Sequence, residues 1–282
     1  MYYKKLFFPI GGGDELEERI HGALLIAKKL NIKLEVLKSS LRDNNTLYKR
    51  YAIPGKIINE LDQIVEMKYK EENEIFLELF NKVAKDLEIN ISSDNEKKNT
   101  LVNVKILEGL RSDLVEQESK FCDLVIAAAP PSGLTTATFE TAVLKSGKPV
   151  LMFPRVLKEF STDSIIIGWN NSTEASRALT SSIHLLKTAK KVHIVSSIEY
   201  IKDLDIMEQL ITYLKEHEID ASYEIIKTTR IPGQSLLNAA NDGRFDLIIA
   251  GAYGHKGLKE LMFGGATRYL LENTSIPVFM SH

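Results

Sequence analysis

The residues best placed to do chemistry lie in DLIIAGAYGHKGLKELMFGGATRYLL, residues 246–271. An uninterrupted apolar run, Asp246 to Ala250, ends in Gly251; Gly254 follows, then nine residues, then Gly264 and Gly265. Glycines at the carboxyl end of a strand let main-chain N–H groups approach an anion without a Cβ in the way. Ala266 and Thr267 fall where a helix would start, and a helix N-terminus offers unpaired N–H groups and a favourable dipole to phosphate. The segment therefore predicts an anion pocket. His255 follows Gly254 and can touch a phosphate, although an exposed loop histidine is the simpler reading. Lys256 and Lys259 are expected to be solvated, and Arg268 to meet either a phosphate or a surface partner.

Other chemical signatures fall away. There is no G-x-x-x-x-G-K-[ST] loop, and GGGDEL at residues 11–16 puts Leu16 where a dinucleotide fingerprint needs its last glycine. The six histidines show no ligand spacing, so no metal site is expected. No Ser–His–Asp order sits on an elbow sequence, so no catalytic residue is assigned. Cys122 precedes a buried run and reads as an inert core thiol. Trp169 stands at a strand end, either beside a ligand or packed in the core.

The glycine segment has to be held by something, and the chain shows what by repeating itself. LFFPIGG at Leu6 matches IIIGWNN at Ile165, DLVIA at Asp123 matches DLIIA at Asp246, and PVLMFP at Pro149 matches PVFMSH at Pro277. The spacing falls from 159 to 123 between the first two pairs, so the first copy carries extra chain, placed at about residues 41–99. Each copy alternates short apolar runs with segments of helical periodicity. Strands apolar on both faces, separated by helices, mean a parallel sheet covered on both sides. The fold class is α/β: two tandem doubly wound domains, 1–157 and 161–282, each a five-stranded parallel sheet with helices on both faces. Asp14 or Gly13 is expected to cap the first helix. The extra chain predicts one or two amphipathic helices that pack on their own domain or form a partner surface.

The Gly251, Gly254, Gly264 spacing, between DLIIA and IPVFMSH, resembles the nucleotide-binding loop of the universal stress protein family, and the resemblance covers essentially the whole chain. It implies ATP, with magnesium, at the strand ends of the C-terminal copy, held by Asn170, Ser197, Gly251, Gly254, Gly264, Gly265, Ala266 and Thr267. Two positions depart from the family. Gly265 stands where the family has Ser or Thr, with Thr267 two residues later. Asn170 stands where the family has an Asp that contacts the ribose, and Asn donates as well as accepts. By the same matching, main chain near Ser197 meets the adenine edge. The first copy reads AAAPPSGLTTATFETAVLKSG there; Pro130 and Pro131 lack N–H groups, so this copy is a degenerate partner. The family also implies that the two copies join by their fifth strands as a pseudo-two-fold pair, a dimer equivalent in one chain that can associate further as a homodimer.

Composition sets the remaining bounds. The 282 residues carry 36 Lys and Arg against 38 Asp and Glu, a net charge of −2, which argues against a nucleic-acid footprint. No apolar run is long enough to span a membrane, the first residues show no signal-peptide pattern, and one cysteine fits a reducing cytoplasmic compartment. The expected function is stress response or signalling by nucleotide binding rather than turnover. Two rivals stand beside it: a nucleotide-independent interaction protein using the inserted helices with a protein partner, and a slow ATPase of the same fold group.

Overall fold

The computed structural model describes residues 3–40, 55–92, 101–133, 135–201, 205–227, 231–252 and 265–282. The N-terminal half runs β1 (Lys5–Ile10), α1 (Leu16–Leu30), β2 (Lys33–Ser40), α2 (Gly55–Asp86), β3 (Ile91–Ser92), β4 (Val102–Glu108), α3 (Arg111–Glu118), β5 (Leu124–Ala128), α4 (Ala137–Lys145) and β6 (Val150–Phe153). The C-terminal half runs β7 (Ser164–Gly168), α5 (Thr173–Thr188), β8 (Lys191–Ser197), α6 (Asp205–Glu216), β9 (Ser222–Ile226), α7 (Pro232–Asp242), β10 (Leu247–Gly251), α8 (Ala266–Asn273) and β11 (Val278–Ser281).

All the strands belong to one sheet, in the order β3-β4-β2-β1-β5-β6-β11-β10-β7-β8-β9. Both halves have the same doubly wound order, β4-β2-β1-β5-β6 and β9-β8-β7-β10-β11, with parallel pairing inside each. The halves meet where β6 runs antiparallel to β11, pairing Leu151 with Phe279 and Val150 with Met280. Two sheet edges that would otherwise template association are thereby joined.

Strand alternation explains the two apolar layers. Leu6, Phe8, Ile165, Ile167 and Phe279 face α1, α2, α5 and α6, while Phe7, Val125, Ile166, Ile248 and Met280 face α4, α7 and α8. Each layer continues across the β6–β11 seam, so the halves share a core. Truncating a buried Phe of this kind to Ala typically costs about 3–5 kcal/mol. Tyr3 adds a tie by donating its hydroxyl to the Ser181 carbonyl of α5.

The repeated Asp of DLVIA and DLIIA has a structural role. Asp123 Oδ2 accepts from the Lys4 and Lys5 N–H groups at 2.8 and 3.0 Å. Asp246 Oδ2 accepts from Ser164 N–H at 2.9 Å and from Ser161 Oγ at 3.0 Å. Each carboxylate pins the start of the first strand of its half to the fourth.

Local sequence accounts for the helices, with two departures from expectation. Ser172 caps α5 by accepting from Ala175 N–H at 3.1 Å. α1 is instead preceded by Glu15 in the left-handed region, φ 55°, with no side-chain cap, so neither Asp14 nor Gly13 takes that role. The inserted chain forms one continuous helix of 32 residues, α2. It buries only its C-terminal part, through Phe76, Phe80, Val83 and Ala84 at helical spacing, while Ile57, Ile64 and Met67 are exposed. The short β3 that follows adds a sixth strand to the N-terminal side of the sheet.

Candidate functional site

A strand order that winds outward from β7 leaves a crevice between β7 and β10, because their connections leave on opposite faces of the sheet. A cavity opens there, at the carboxyl ends of β7, β8 and β10. Of the predicted residues, Asn170, Ser197, Gly251, Ala266 and Thr267 line it. Gly265 precedes α8 as its cap residue, while Gly254, Gly264 and His255 lie outside the described residues. Arg268 pairs instead with Glu272 along α8 at 2.7 Å.

Two helices aim their N-termini at this space. α7 opens at Pro232 and α8 at Ala266, and neither cap residue supplies a side-chain hydrogen bond. Their first turns are in close contact: a Cβ on Gly233 would sit 2.6 Å from the Ala266 carbonyl oxygen. First-turn N–H groups that no cap takes up are the usual holders of an anion. Gly265 has φ −75°, an ordinary extended conformation. That conformation suits a capping hydroxyl residue such as Ser172 of α5, but glycine offers α8 no side-chain cap.

Packing gives Gly251 a reason of its own to be glycine, beside the one the spacing implies. A Cβ there would lie 2.7 Å from the Ala175 nitrogen and 2.9 Å from the Glu174 carbonyl carbon. The start of α5 packs on the end of β10, and glycine permits it.

The floor carries unsatisfied polar groups. Trp169 Nε1 and Ser197 Oγ are buried side-chain atoms without a hydrogen-bond partner among the described residues, and both residues line the cavity. Leaving a buried donor unmade costs about 1–3 kcal/mol. The Trp169 main chain is fixed on both sides: its N–H donates to Val195 at 2.9 Å and its carbonyl accepts from Ser196 Oγ at 2.6 Å. The Ser197 carbonyl already accepts from the N–H groups of Tyr200 and Ile201, both at 3.0 Å, so the side chain of Ser197 rather than its carbonyl is the group left open. Asn170 Oδ1 accepts from Ser172 N–H at 3.2 Å, which leaves the amide nitrogen as the donor it offers. Tyr200, Ile226, Leu236 and Leu270 supply apolar wall. Sequence reasoning missed these four, because they meet only in the fold: Tyr200 follows β8, Ile226 ends β9, Leu236 is in α7 and Leu270 in α8.

Residues 183–282 match the universal stress protein family. That stretch, from within α5 to β11, carries a universal stress protein domain. The match begins within α5, so Asn170 and Trp169 precede it. The whole fold is similar to a crystal structure of a universal stress protein from Archaeoglobus fulgidus DSM 4304, with a TM-score of 0.69 at 15% identity over 99% of this chain and 98% of that one. It is also similar to a functionally unknown protein from Pseudomonas aeruginosa PAO1, with a TM-score of 0.56 at 15% identity over 98% and 92% of the two chains. At these identities the likeness is one of fold. No curated protein matches the sequence. Among the described residues no helix is long and apolar enough to cross a membrane.

The N-terminal half places a second cavity at the corresponding crevice between β1 and β5. Pro130 and Pro131 line it; in the repeat they align with Tyr253 and Gly254, as Ala128 does with Gly251.

Proposed function

We propose that the universal stress protein domain binds an adenine nucleotide in the β7–β10 cavity, and that this cytoplasmic chain, a tandem member of the family, acts in stress response or signalling by binding rather than turnover. The observation that carries the reading is a pair of buried polar atoms, Trp169 Nε1 and Ser197 Oγ, that converge on one cavity and have no partner among the described residues. Buried polar groups are nearly always hydrogen-bonded, so two exceptions in one place ask for a ligand. The apolar wall suits a base, Asn170 suits a ribose hydroxyl, and the uncapped starts of α7 and α8 suit phosphate. Gly254, Gly264, Gly265 and Thr267 belong to the phosphate end of this reading. Magnesium would arrive on the phosphates. A ligand that binds two conformations unequally would shift their populations and so alter a partner surface.

Trp169 is the chain's single tryptophan, so the site carries its own reporter. Titrating nucleotide-stripped protein with ATP and magnesium should give saturable heat near one per chain and a change in tryptophan emission. Ser197→Ala should weaken binding by about tenfold while making the unliganded protein equally or more stable, because an unsatisfied hydroxyl is removed. No heat and no emission change from folded protein would overturn the reading. Function would then move to the exposed Ile57, Ile64 and Met67 of α2, as in an interaction protein. Phosphate release at a steady rate under the same conditions would establish turnover instead.

A further inference from the structure

The crevice in the N-terminal half has lost the glycine loop and gained guanidinium groups. Arg19 from the first turns of α1, Arg111 from the start of α3 and Arg155 from the connection after β6 all line the β1–β5 cavity. They come from three elements far apart in sequence and meet only in the fold.

Their partners leave the cluster short of negative charge. Arg19 is only 9% exposed, and it donates to main-chain carbonyls, those of Gly12, Gly13 and Glu15, each at 3.2 Å. Arg111 donates Nε–H to the neutral Ser39 Oγ at 2.9 Å, and its two terminal nitrogens donate to no acceptor among the described residues. Arg155 pairs with the Glu15 carboxylate and donates to the carbonyls of Asp14 at 2.7 Å and Ala129 at 3.3 Å. Among the described residues the three guanidinium groups make one ion pair, Arg155 with Glu15, itself 43% exposed, and Asp14 is the other carboxylate acting on Arg19.

Room has been made for this crowding. A Cβ on Gly11 would fall 1.7 Å from Arg111 Nη2, so the guanidinium lies where any other residue at position 11 would put its side chain. Burial holds the Arg19 pKa below the ordinary value, and the charges of Arg155 and Arg111 depress it further. Burial alone does the same for Arg111. Arginine stays charged throughout, so like charges are being held together in a concave, partly dry space. An anion would relieve that repulsion.

Backbone donors play a smaller part here than in the other half. Thr136 Oγ1 caps α4 by accepting from Phe139 N–H at 3.2 Å, whereas Gly265 leaves α8 uncapped. Where the C-terminal cavity offers main-chain N–H groups and neutral side chains, the N-terminal cavity offers planar, forked cations. That donor set matches the oxygens of a phosphate bidentately.

We propose that the N-terminal half contains a second ligand site, in which Arg19, Arg111 and Arg155 bind the phosphate group of a small molecule or free phosphate itself. The site is independent of nucleotide binding in the C-terminal half.

The test uses the full chain with three probes: inorganic phosphate, pyrophosphate and glucose 6-phosphate. Each is titrated by calorimetry at low and at high salt, with Trp169 emission followed in parallel. Saturable binding of at least one probe is expected, weakened severalfold by added salt and without change in tryptophan emission. Tighter binding of glucose 6-phosphate than of inorganic phosphate would assign the site to a phosphorylated metabolite, and the reverse order to the free ion. Arg111→Gln should lower affinity at least tenfold and Arg111→Lys less, with Arg155→Gln as a second variant should the first fail to fold. Arg111→Gln without ligand should melt no lower than the parent, since a repelled charge is removed; a guanidinium kept only for its bond to Ser39 would give a lower melting temperature. No binding by any probe at low salt, or binding that survives Arg111→Gln and shifts Trp169 emission, would overturn the proposal.

Discussion

The two crevices are built on the same strand order, at the same switch point, and differ in nearly everything that touches a ligand. Between β7 and β10 the described lining is apolar and neutral, with two unpaired side-chain donors and two uncapped helix starts. Between β1 and β5 two prolines stand after the strand, the helix is capped, and three arginines face the space. A doubly wound sheet fixes where a cavity forms, since the connections must part there. Its chemistry is set by the residues that line it, and these differ between the two copies. The copy without the glycine pattern still lines its crevice with three arginines.

Glycines give the largest way to test that contrast. Gly251 looks like a ligand-binding residue from its spacing, yet α5 packs so close that a Cβ there would lie 2.7 Å from the Ala175 nitrogen. Gly251→Val should cost about 3 kcal/mol or more, because a backbone contact cannot rotate away. It should lower the melting temperature whether or not nucleotide is present. In the other half, a Cβ on Gly12 would meet nothing within 4 Å. Gly12→Ala should change stability by less than about 0.5 kcal/mol. Melting curves of the two variants decide the matter. A stable Gly251→Val protein that has merely stopped binding nucleotide would show that the glycine serves the ligand after all.

A second contrast lies within the sheet. Glu35 on β2 faces Phe7 on β1, and the corresponding residue of the other half is His193, which faces Ile166. Glu35 is 6% exposed and lies between Lys5 at 2.6 Å and Lys105 at 2.7 Å. Burial pushes its carboxyl pKa up, but the hydrogen bonds and charges of Lys105 and Lys5 prevail, and the net value is below the ordinary one. His193 has only lighter polar company, Ser222 Oγ at 2.8 Å and Glu224 at 3.5 Å, and it stacks on Phe245. Glu35→Gln should destabilise the chain by about 1–3 kcal/mol at pH 7, less than a fully buried pair because both lysines reach solvent. The sign with pH follows from the depressed value. The carboxylate contributes fully above the unfolded pKa of about 4.3 and loses its contribution as pH falls toward the lower folded one. Denaturant unfolding at pH 7 and again near pH 3 should show the gap between parent and variant closing. A gap that stays constant would mean that the amide is being penalised for its packing rather than for its charge.

Much of this was open to the sequence, for identifiable reasons. Strands buried on both faces are written as unbroken apolar runs, so Leu124–Ala128 and Leu247–Gly251 could be located and paired by their repetition. The Asp before each run recurred because it clamps the neighbouring strand. Asn170, Ser197 and Gly251, which end or closely follow a strand, came with the strands, and Ala266 and Thr267 came with the helix start after the glycines. Tyr200 and Leu236 did not, because their place depends on how connections return to the sheet. The arginine cluster was invisible for the same reason: positions 19, 111 and 155 have no spacing in common and meet only through strand order. The cap of α1 was misjudged because Glu15 adopts a left-handed conformation that its residue type does not favour.

The smallest expected effect concerns a pair that repetition also aligns. Cys122 precedes Asp123 as Phe245 precedes Asp246, and the two are 4% and 6% exposed. A thiol occupies in one half the position of an aromatic ring in the other, which marks it as packing material. Burial pushes the Cys122 thiol up to about 12; the charges of Lys148 and Lys5 oppose this only in part, with Asp123 and Glu35 adding to it. Its Sγ donates to the Ser119 carbonyl at 3.1 Å. Since the thiolate is the reacting form, a disulfide reagent at pH 8 should label the native protein about a thousandfold or more slowly than the unfolded chain. Adding nucleotide or phosphate should leave the rate unchanged, because Cys122 lines neither crevice. Fast labelling of native protein would mean that this edge of the shared core opens readily. The equivalence of Cys122 and Phe245 as buried filling would then fail, and the N-terminal half would be the looser of the two.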